Sequence, residues 1–404
     1  MRFFKCFFII FLLFSMFCCS FADDLIEDSE SVEINSEPSN VDFEIYSRRA
    51  IVFERNSKTV LFGKNVDEKC AMASTTKVMT CTIILENCNL DDIVTISVKS
   101  ASTGGSRLGL HTNDTMSVRD LLYGLMLCSG NDAAVALAEY CAGSVENFAI
   151  LMNNKANDLS LQSTHFVTPH GLDNADHYTT VSDFAFLCDY ALSNPLFVQI
   201  VGTKYYNVSI NGSIKSIHNT NELLGTISSV YGIKTGYTSQ AGRCLITSAK
   251  QDNLDIIVIV LGADTKSIRT NDSIKLINYV FDNYEAVSFK DLITTKFKEY
   301  SDYIIPFIEI PKVTSKLSPV LDKNFPEFYP IKKELISSIS VVLSEENLAT
   351  PIYENQKIAA IDIFCENDKI YSTNIYSATY ISKKTPLEYL YHFINNYKNF
   401  YRVP

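Results

Sequence analysis

Ser74-Thr75-Thr76-Lys77, Ser129-Gly130-Asn131 and Lys234-Thr235-Gly236 follow one another along the chain and together carry every group that acyl transfer through a serine ester needs. A serine hydroxyl is a weak nucleophile until a neighbouring base takes its proton, and a lysine three residues further along a helix lies on the same face, about one turn away. Lys77 can serve as that base only with a depressed pKa, which burial and a nearby cation such as Lys234 would both produce. Ser129 and Asn131 add a hydroxyl and an amide that can orient the amine and relay a proton to a leaving amine. Lys234, Thr235 and Gly236 add a cation, a hydroxyl and an open strand edge for a substrate.

Each motif also has a plainer reading. S-x-x-K arises by chance in a chain with this many serines and lysines. Ser129-Gly130-Asn131 reads equally as a joint between helices, Gly130 ending one and Asn131 capping the next. Lys234-Thr235-Gly236 reads as an exposed edge strand with a charged face. These readings are compatible with the chemistry: a rigid joint would hold Ser129 and Asn131 against Lys77. An edge strand can bind a peptide by β-augmentation, with Gly236 leaving room for its backbone.

Such roles require elements to place them. The helix expected at residues 74–86 is apolar almost all round, with Val78, Met79, Ile83, Ile84 and Leu85, so it should cross the core with Ser74 at its positive end. Further helices are expected at 118–128, with Ser117 and Asp120 placed like a capping box, and at 132–141, 145–158 and 183–192. Ala50 to Phe53 and Val60 to Phe62 flank a polar turn and predict a hairpin, while 231–237, 244–249 and 256–261 predict strands. Ile268, Ile274, Ile277, Val280, Phe281 and Tyr284 mark a closing amphipathic helix. The expected fold is α+β: an antiparallel sheet, closed by both ends of the domain, beside a helical block. Beyond residue 289, short β-branched runs at 304–310, 339–343, 358–364 and 370–375 predict a smaller all-β domain. Leu387, Leu390, Ile394, Tyr397 and Tyr401 then form a stripe with Lys383, Lys384, Lys398 and Arg402 around it. That stripe fits a membrane-surface helix or a helix docked on its own domain.

With 404 residues, 47% hydrophobic and 20% charged, the chain can bury a sizeable core in about two domains. Arg2 and Lys5, an apolar run from Cys6 to Cys19 and the end Ser20-Phe21-Ala22 read as a removable signal peptide. A transmembrane anchor is disfavoured, because spanning takes about 20 apolar residues. Residues 23–44 hold nine acids and no basic residue and predict a disordered spacer. The organisation therefore reads as signal peptide at 1–22, spacer at 23–44, catalytic domain at 45–288, β domain at 289–383 and tail at 384–404. Losing Arg2 and Lys5 takes the net charge from −11 to −13, which argues against nucleic acid as a partner. Eight cysteines remain after the signal peptide, none in a C-x-x-C pair and several within apolar helical runs, so mostly free thiols are expected.

With these motifs in this order, the chain resembles the penicillin-recognising serine D,D-peptidases, specifically the low-molecular-mass D-alanyl-D-alanine carboxypeptidases. The resemblance extends to Ala73 to Thr80, Gly105-Ser106-Arg107-Leu108, Thr164-His165-Phe166, His170-Gly171-Leu172-Asp173, Asn219-Thr220-Asn221 and Gly232 to Gly242. It is close over 46–287 and looser in the β domain. It implies the fold shared by these enzymes and the β-lactamases, with Ser74 as acylated nucleophile, Lys77 as base, and Ser129 and Asn131 as the second catalytic element. Lys234, Thr235 and Gly236 would bind substrate, the Tyr237 N–H would join that of Ser74 in an oxyanion hole, and Arg269 would help hold the terminal carboxylate. The implied reaction is removal of the last D-Ala from a peptidoglycan stem peptide outside the cytoplasm, at the cell wall or the outer face of the membrane. Penicillins would trap the ester, and no cofactor or metal is required. A class A β-lactamase would need a glutamate after the second motif, and none occurs between Glu146 and Glu222. The same motifs would suit a transpeptidase, which passes the acyl group to an amine instead of water. A non-catalytic wall-binding protein, with the β domain as its working part, would have no use for them.

Overall fold

A computed structural model describes residues 43–307, 317–346, 348, 351–382 and, in the tail, Pro386, Leu387, Leu390 and Ile394. The expected signal peptide, most of the spacer and most of the tail lie outside the described residues. Phe43, at the end of the expected spacer, packs on the rings of Phe62 and Tyr279.

The chain runs through β1 (Arg49–Glu54) and β2 (Val60–Lys64), a 3-10 turn at Ala73–Thr76 and α1 (Lys77–Asn87). Then come β3 (Ile93–Thr95), α2 (Val98–Ala101), β4 (Thr115–Ser117), α3 (Val118–Met126), α4 (Asn131–Ala142), α5 (Val145–Asp158), α6 (Val181–Leu192) and α7 (Pro195–Gly202). The hairpin of β5 (Tyr205–Ile210) and β6 (Ser213–His218) leads to β7 (Val230–Thr238), β8 (Gly242–Gln251), β9 (Leu254–Ala263), α8 (Lys266–Asn283) and β10 (Tyr284–Ser288). The C-terminal region holds α9 (Phe289–Phe307), β11 (Pro319–Leu321), β12 (Phe328–Lys332), β13 (Ile339–Glu345), β14 (Lys357–Cys365) and β15 (Asp368–Ser377).

The central sheet is antiparallel in the order β2–β1–β9–β8–β7, so both ends of the domain supply it and β7 forms an edge. Side chains alternate across a strand, and here both faces are covered. Ile257, Ile259 and Leu261 of β9 join the core of the helical block, whereas Ile256, Val258 and Val260 pack with Leu276, Ile277 and Val280 of α8. That two-sided burial accounts for the unbroken apolar run in β9. Within the block α1 is buried from Lys77 to Ile84. The hydroxyls of Ser117, Ser144 and Thr180 cap α3, α5 and α6 by accepting N–H bonds three residues on.

Two expectations need correction, and one hairpin was not expected. The α-helix begins at Lys77 rather than Ser74, because Ala73 has φ +49° and the chain tightens into a 3-10 turn before the helix starts. The β5–β6 hairpin, unforeseen, turns at Asn211-Gly212, both with positive φ, the pairing favoured in two-residue hairpins. The expected strand at 304–310 is helical through Phe307 in α9, and its remainder lies outside the described residues. Phe289, Ile293 and Tyr300, at helical spacing, bury one face of α9 against Ile358, Ile361, Ile363 and Ile375 of the four-stranded sheet β11–β15–β14–β13. The expected boundary at residue 288 falls at the end of β10, which pairs with β12 of the C-terminal region. The eight cysteines among the described residues are all free thiols.

Phe289 is fully buried and stacks on Tyr329 with ring centroids 4.6 Å apart. Phe289→Ala is expected to cost about 3–5 kcal/mol, as for other buried aromatics. Urea unfolding should show a lowered midpoint; an unchanged one would mean that α9 does not hold this core.

Candidate active site

The Ala73–Thr76 turn, the joint between α3 and α4, and the edge strand β7 meet around Lys77, which is fully buried at the start of α1. Its Nζ lies 2.7 Å from Asn131 Oδ1, 2.8 Å from the His170 carbonyl oxygen and 2.9 Å from Ser74 Oγ. The two carbonyl oxygens can only accept, so they take two N–H donors. A neutral amine then has one lone pair left, directed to the Ser74 hydroxyl. Burial, and after it the charge of Lys234, push the Lys77 pKa well below its ordinary value. The lowered pKa favours the uncharged amine, and in that form the contacts leave its lone pair facing the serine hydroxyl.

The joint is built tightly. Ser129 has φ +62°, and its buried Oγ has no hydrogen-bond partner among the described residues. A Cβ on Gly130 would lie 2.8 Å from Asp132 Oδ1 and 3.1 Å from the Leu108 nitrogen, so only glycine fits. Asn131 donates through Nδ2 to the Gly104 carbonyl at 2.7 Å, which turns its Oδ1 towards Lys77, and its N–H donates to the Ser106 carbonyl at 2.7 Å. Asp132, fully buried, accepts N–H bonds from Leu108, Gly109 and Leu110 at 2.8, 2.8 and 3.0 Å. The 104–110 loop is thereby fastened to the first turn of α4.

On the third side Lys234 is buried in β7 and donates to the Thr235 carbonyl at 3.1 Å. Burial above all lowers its pKa to about 7, and Arg269 acts in the same direction. Thr235 Oγ1 is 2.7 Å from Thr220 Oγ1. A Cβ on Gly236 would come within 3.1 Å of Ala73 Cβ, 3.2 Å of the Ser74 nitrogen and 3.3 Å of the Thr75 nitrogen, so its bareness lets strand and nucleophile turn touch. Tyr237 is exposed, with the Arg243 guanidinium 3.7 Å from its ring centre. Arg269 is buried and ion-paired to Glu222, its Nε without a partner among the described residues.

Ser74, Lys77 and Asn131 are thus joined by direct contacts, and Gly236 is packed on the serine turn. Ser129 adjoins them through the joint, Lys234 acts on the amine through its charge, and Arg269 acts in turn on Lys234. The arrangement can deprotonate a serine and offer backbone N–H groups and cations to an anionic peptide. Two further parts of the site, the His170 carbonyl and the Asp132 clamp, are not foreseeable from residue types. The first is a backbone group, and the second is marked only by an acid directly after Asn131.

A family model described as D-alanyl-D-alanine carboxypeptidase matches residues 32–265. The chain is 33% identical to the D-alanyl-D-alanine carboxypeptidase DacF of Bacillus subtilis over 78% of this chain and 80% of the relative. It is 30% identical to DacA of Haemophilus influenzae over 86% and 87% of the two chains. Among solved structures, penicillin binding protein 5 of Haemophilus influenzae superposes with TM-score 0.69 at 28% identity, covering 85% of this chain and 99% of that one. A Streptomyces DD-transpeptidase superposes with TM-score 0.58 at 34% identity, covering 60% and 99%.

Asp132→Ala leaves three loop N–H groups without their acceptor. It should cost about 2–4 kcal/mol, as expected for lost charge-assisted bonds. Thermal unfolding and proteolysis within 104–110 would read this; a variant as stable and as resistant as wild type would refute the clamp.

Proposed function

The chain belongs to the D-alanyl-D-alanine carboxypeptidase family, and on that premise we propose that it is an exported serine peptidase. It removes the terminal D-Ala from peptidoglycan stem pentapeptides through an ester on Ser74, a step in cell-wall maturation. The observation that carries this reading is Lys77, buried, with both N–H bonds taken by carbonyl oxygens and Ser74 Oγ at 2.9 Å.

In this mechanism Ser74 Oγ attacks the carbonyl of the penultimate D-Ala while its proton passes to Lys77 Nζ. The oxyanion sits between the N–H groups of Ser74 and Tyr237, a pairing supported by the packing of Gly236 on the serine turn. Collapse breaks the peptide bond, and the proton on Lys77 passes through the unpartnered hydroxyl of Ser129 to the leaving amine of the last D-Ala, which leaves Lys77 neutral again. Water then gives a proton to Lys77 and attacks the ester; as the ester breaks, Lys77 returns that proton to Ser74 Oγ and the shortened peptide is freed. Lys234 and Thr235, with Arg269 behind them, meet the terminal carboxylate. A β-lactam enters as a mimic of the dipeptide end and leaves a slowly hydrolysed ester. Export rests on the sequence of residues 1–22. A peripheral membrane contact of the tail is supported by Leu387, Leu390 and Ile394, exposed at helical spacing. Glu222, the first glutamate after Glu146, is ion-paired to Arg269, which disfavours a β-lactamase role for it.

Fluorescent penicillin should label the mature protein, and Ser74→Ala should abolish the label. Mass spectrometry of a stem pentapeptide should show loss of one D-Ala; transfer to an added amine as the main product would replace the carboxypeptidase reading with a transpeptidase one.

A pH dependence follows from the lysines. With Lys77 neutral, the substrate cation is Lys234, whose pKa near 7 means that it loses its proton on the alkaline side. Acylation by an anionic penicillin should therefore fall above about pH 7. Lys234→Arg, which stays charged, should move that limb up by roughly one unit or more. The same limb in both proteins would remove Lys234 from this role.

A further inference from the structure

Two backbone N–H groups, of Val167 and Thr168, point at His177 Nδ1 from 2.9 and 3.4 Å. An imidazole nitrogen that accepts carries no proton, so the neutral ring has its hydrogen on Nε2. Nε2 lies 2.8 Å from Thr76 Oγ1 and donates to it. Thr76 Oγ1 in turn donates to the Ala73 carbonyl at 2.8 Å. The ring is 3% exposed, with the edge of Phe166 against it. Burial above all holds its pKa down to about 4, so the ring is uncharged at neutral pH.

This chain of bonds ends on a particular peptide. Ala73 has φ +49°, a backbone region that a residue with a Cβ occupies only when its surroundings hold it there. Gly171 packs directly against this carbonyl and the Thr76 hydroxyl: a Cβ there would come within 1.9 Å of the Ala73 oxygen and 2.5 Å of Thr76 Oγ1. In a trans peptide the C=O of one residue and the N–H of the next lie in one plane and point in opposite directions. Holding the Ala73 oxygen therefore aims the Ser74 N–H.

We infer that His177 is a positioning residue which, through Thr76 and the Ala73 carbonyl, orients the Ser74 N–H for the oxyanion of the acylation step. This rests on the proposed acylation of Ser74 and adds a group outside the three motifs. Removing an oxyanion donor outright costs about 10²–10³ in rate. A donor left in place but free to tilt should cost less, about 10–100-fold, and should act on the chemical step rather than on substrate binding.

The test compares wild type, His177→Leu, His177→Gln, Thr76→Val and Thr76→Ser in penicillin acylation, separating the acylation rate constant from the prior dissociation constant. D-Ala release from a pentapeptide is followed in parallel. His177→Leu and Thr76→Val should lose about 10–100-fold in acylation rate with little change in binding. His177→Gln, which keeps a donor and an acceptor, and Thr76→Ser, which keeps the hydroxyl, should recover most of it. If circular dichroism shows His177→Leu unfolded, the Thr76→Val and Thr76→Ser pair decides alone. Full acylation rates in folded His177→Leu or Thr76→Val, or losses that Gln and Ser fail to repair, overturn the role while leaving the enzyme reading intact. A wild type that neither takes penicillin nor releases D-Ala overturns both.

Discussion

A lysine amine sealed from water is the constraint from which the site follows. Burying an ammonium group costs several kcal/mol unless a partner charge compensates it. Nothing negative touches Lys77 Nζ among the described residues; its partners are two carbonyl oxygens and a hydroxyl. The nearby carboxylate of Asp132 is committed to the N–H groups of residues 108–110. A second buried lysine, Lys234, adds repulsion. The Lys77 pKa is therefore driven down, and the burial of α1 that holds the helical block together is also what dehydrates the amine.

Two halves of the molecule must then meet within a few tenths of an ångström. The serine turn belongs to the helical block and β7 to the sheet, and they touch where Gly236 lies against the Ser74 and Thr75 nitrogens. β7 ends the sheet, so its outer edge pairs with no further strand of that sheet, the position at which an extended peptide can add. Two of the ten non-glycine residues with positive φ among the described residues lie here, Ala73 beside Ser74 and Ser129 in the joint. Each is over-determined by its neighbours, Ala73 by Thr76 and Gly171, and Ser129 by the close packing of Gly130 under the 104–110 loop.

Most of the sheet and helical block is legible along the chain because period and capping signals are local. Ser144 and Val145–Asp158 announce a helix by composition alone, and the β1–β2 hairpin shows itself by two apolar runs around a polar turn. Where expectation and structure part, the local signals are weak or in conflict. The β-branched run from Ile304 favours a strand, yet Phe289, Ile293 and Tyr300 upstream carry a helical period that continues through Phe307. Asn211-Gly212 is a hairpin signal without support on either side, because its flanking strands are half exposed and lack a strong apolar pattern. Nothing near Ser74 shows that the helix starts after it, since Ala73 is held at positive φ by residues about a hundred positions away.

The amino-acid sequence by itself determined the chemical groups and their order: a serine with a lysine three residues on, a hydroxyl and an amide at a glycine joint, and a cation on an edge strand. These are properties of residue type and short spacing. Tertiary structure alone decided what those groups are. The Lys77 pKa falls because the fold dehydrates the amine, the His170 carbonyl and Asn131 fix its position, and Thr76 and Gly171 hold the Ala73 carbonyl that precedes the Ser74 N–H. Dehydration and orientation arise from contacts between segments distant along the chain, and no local pattern encodes them.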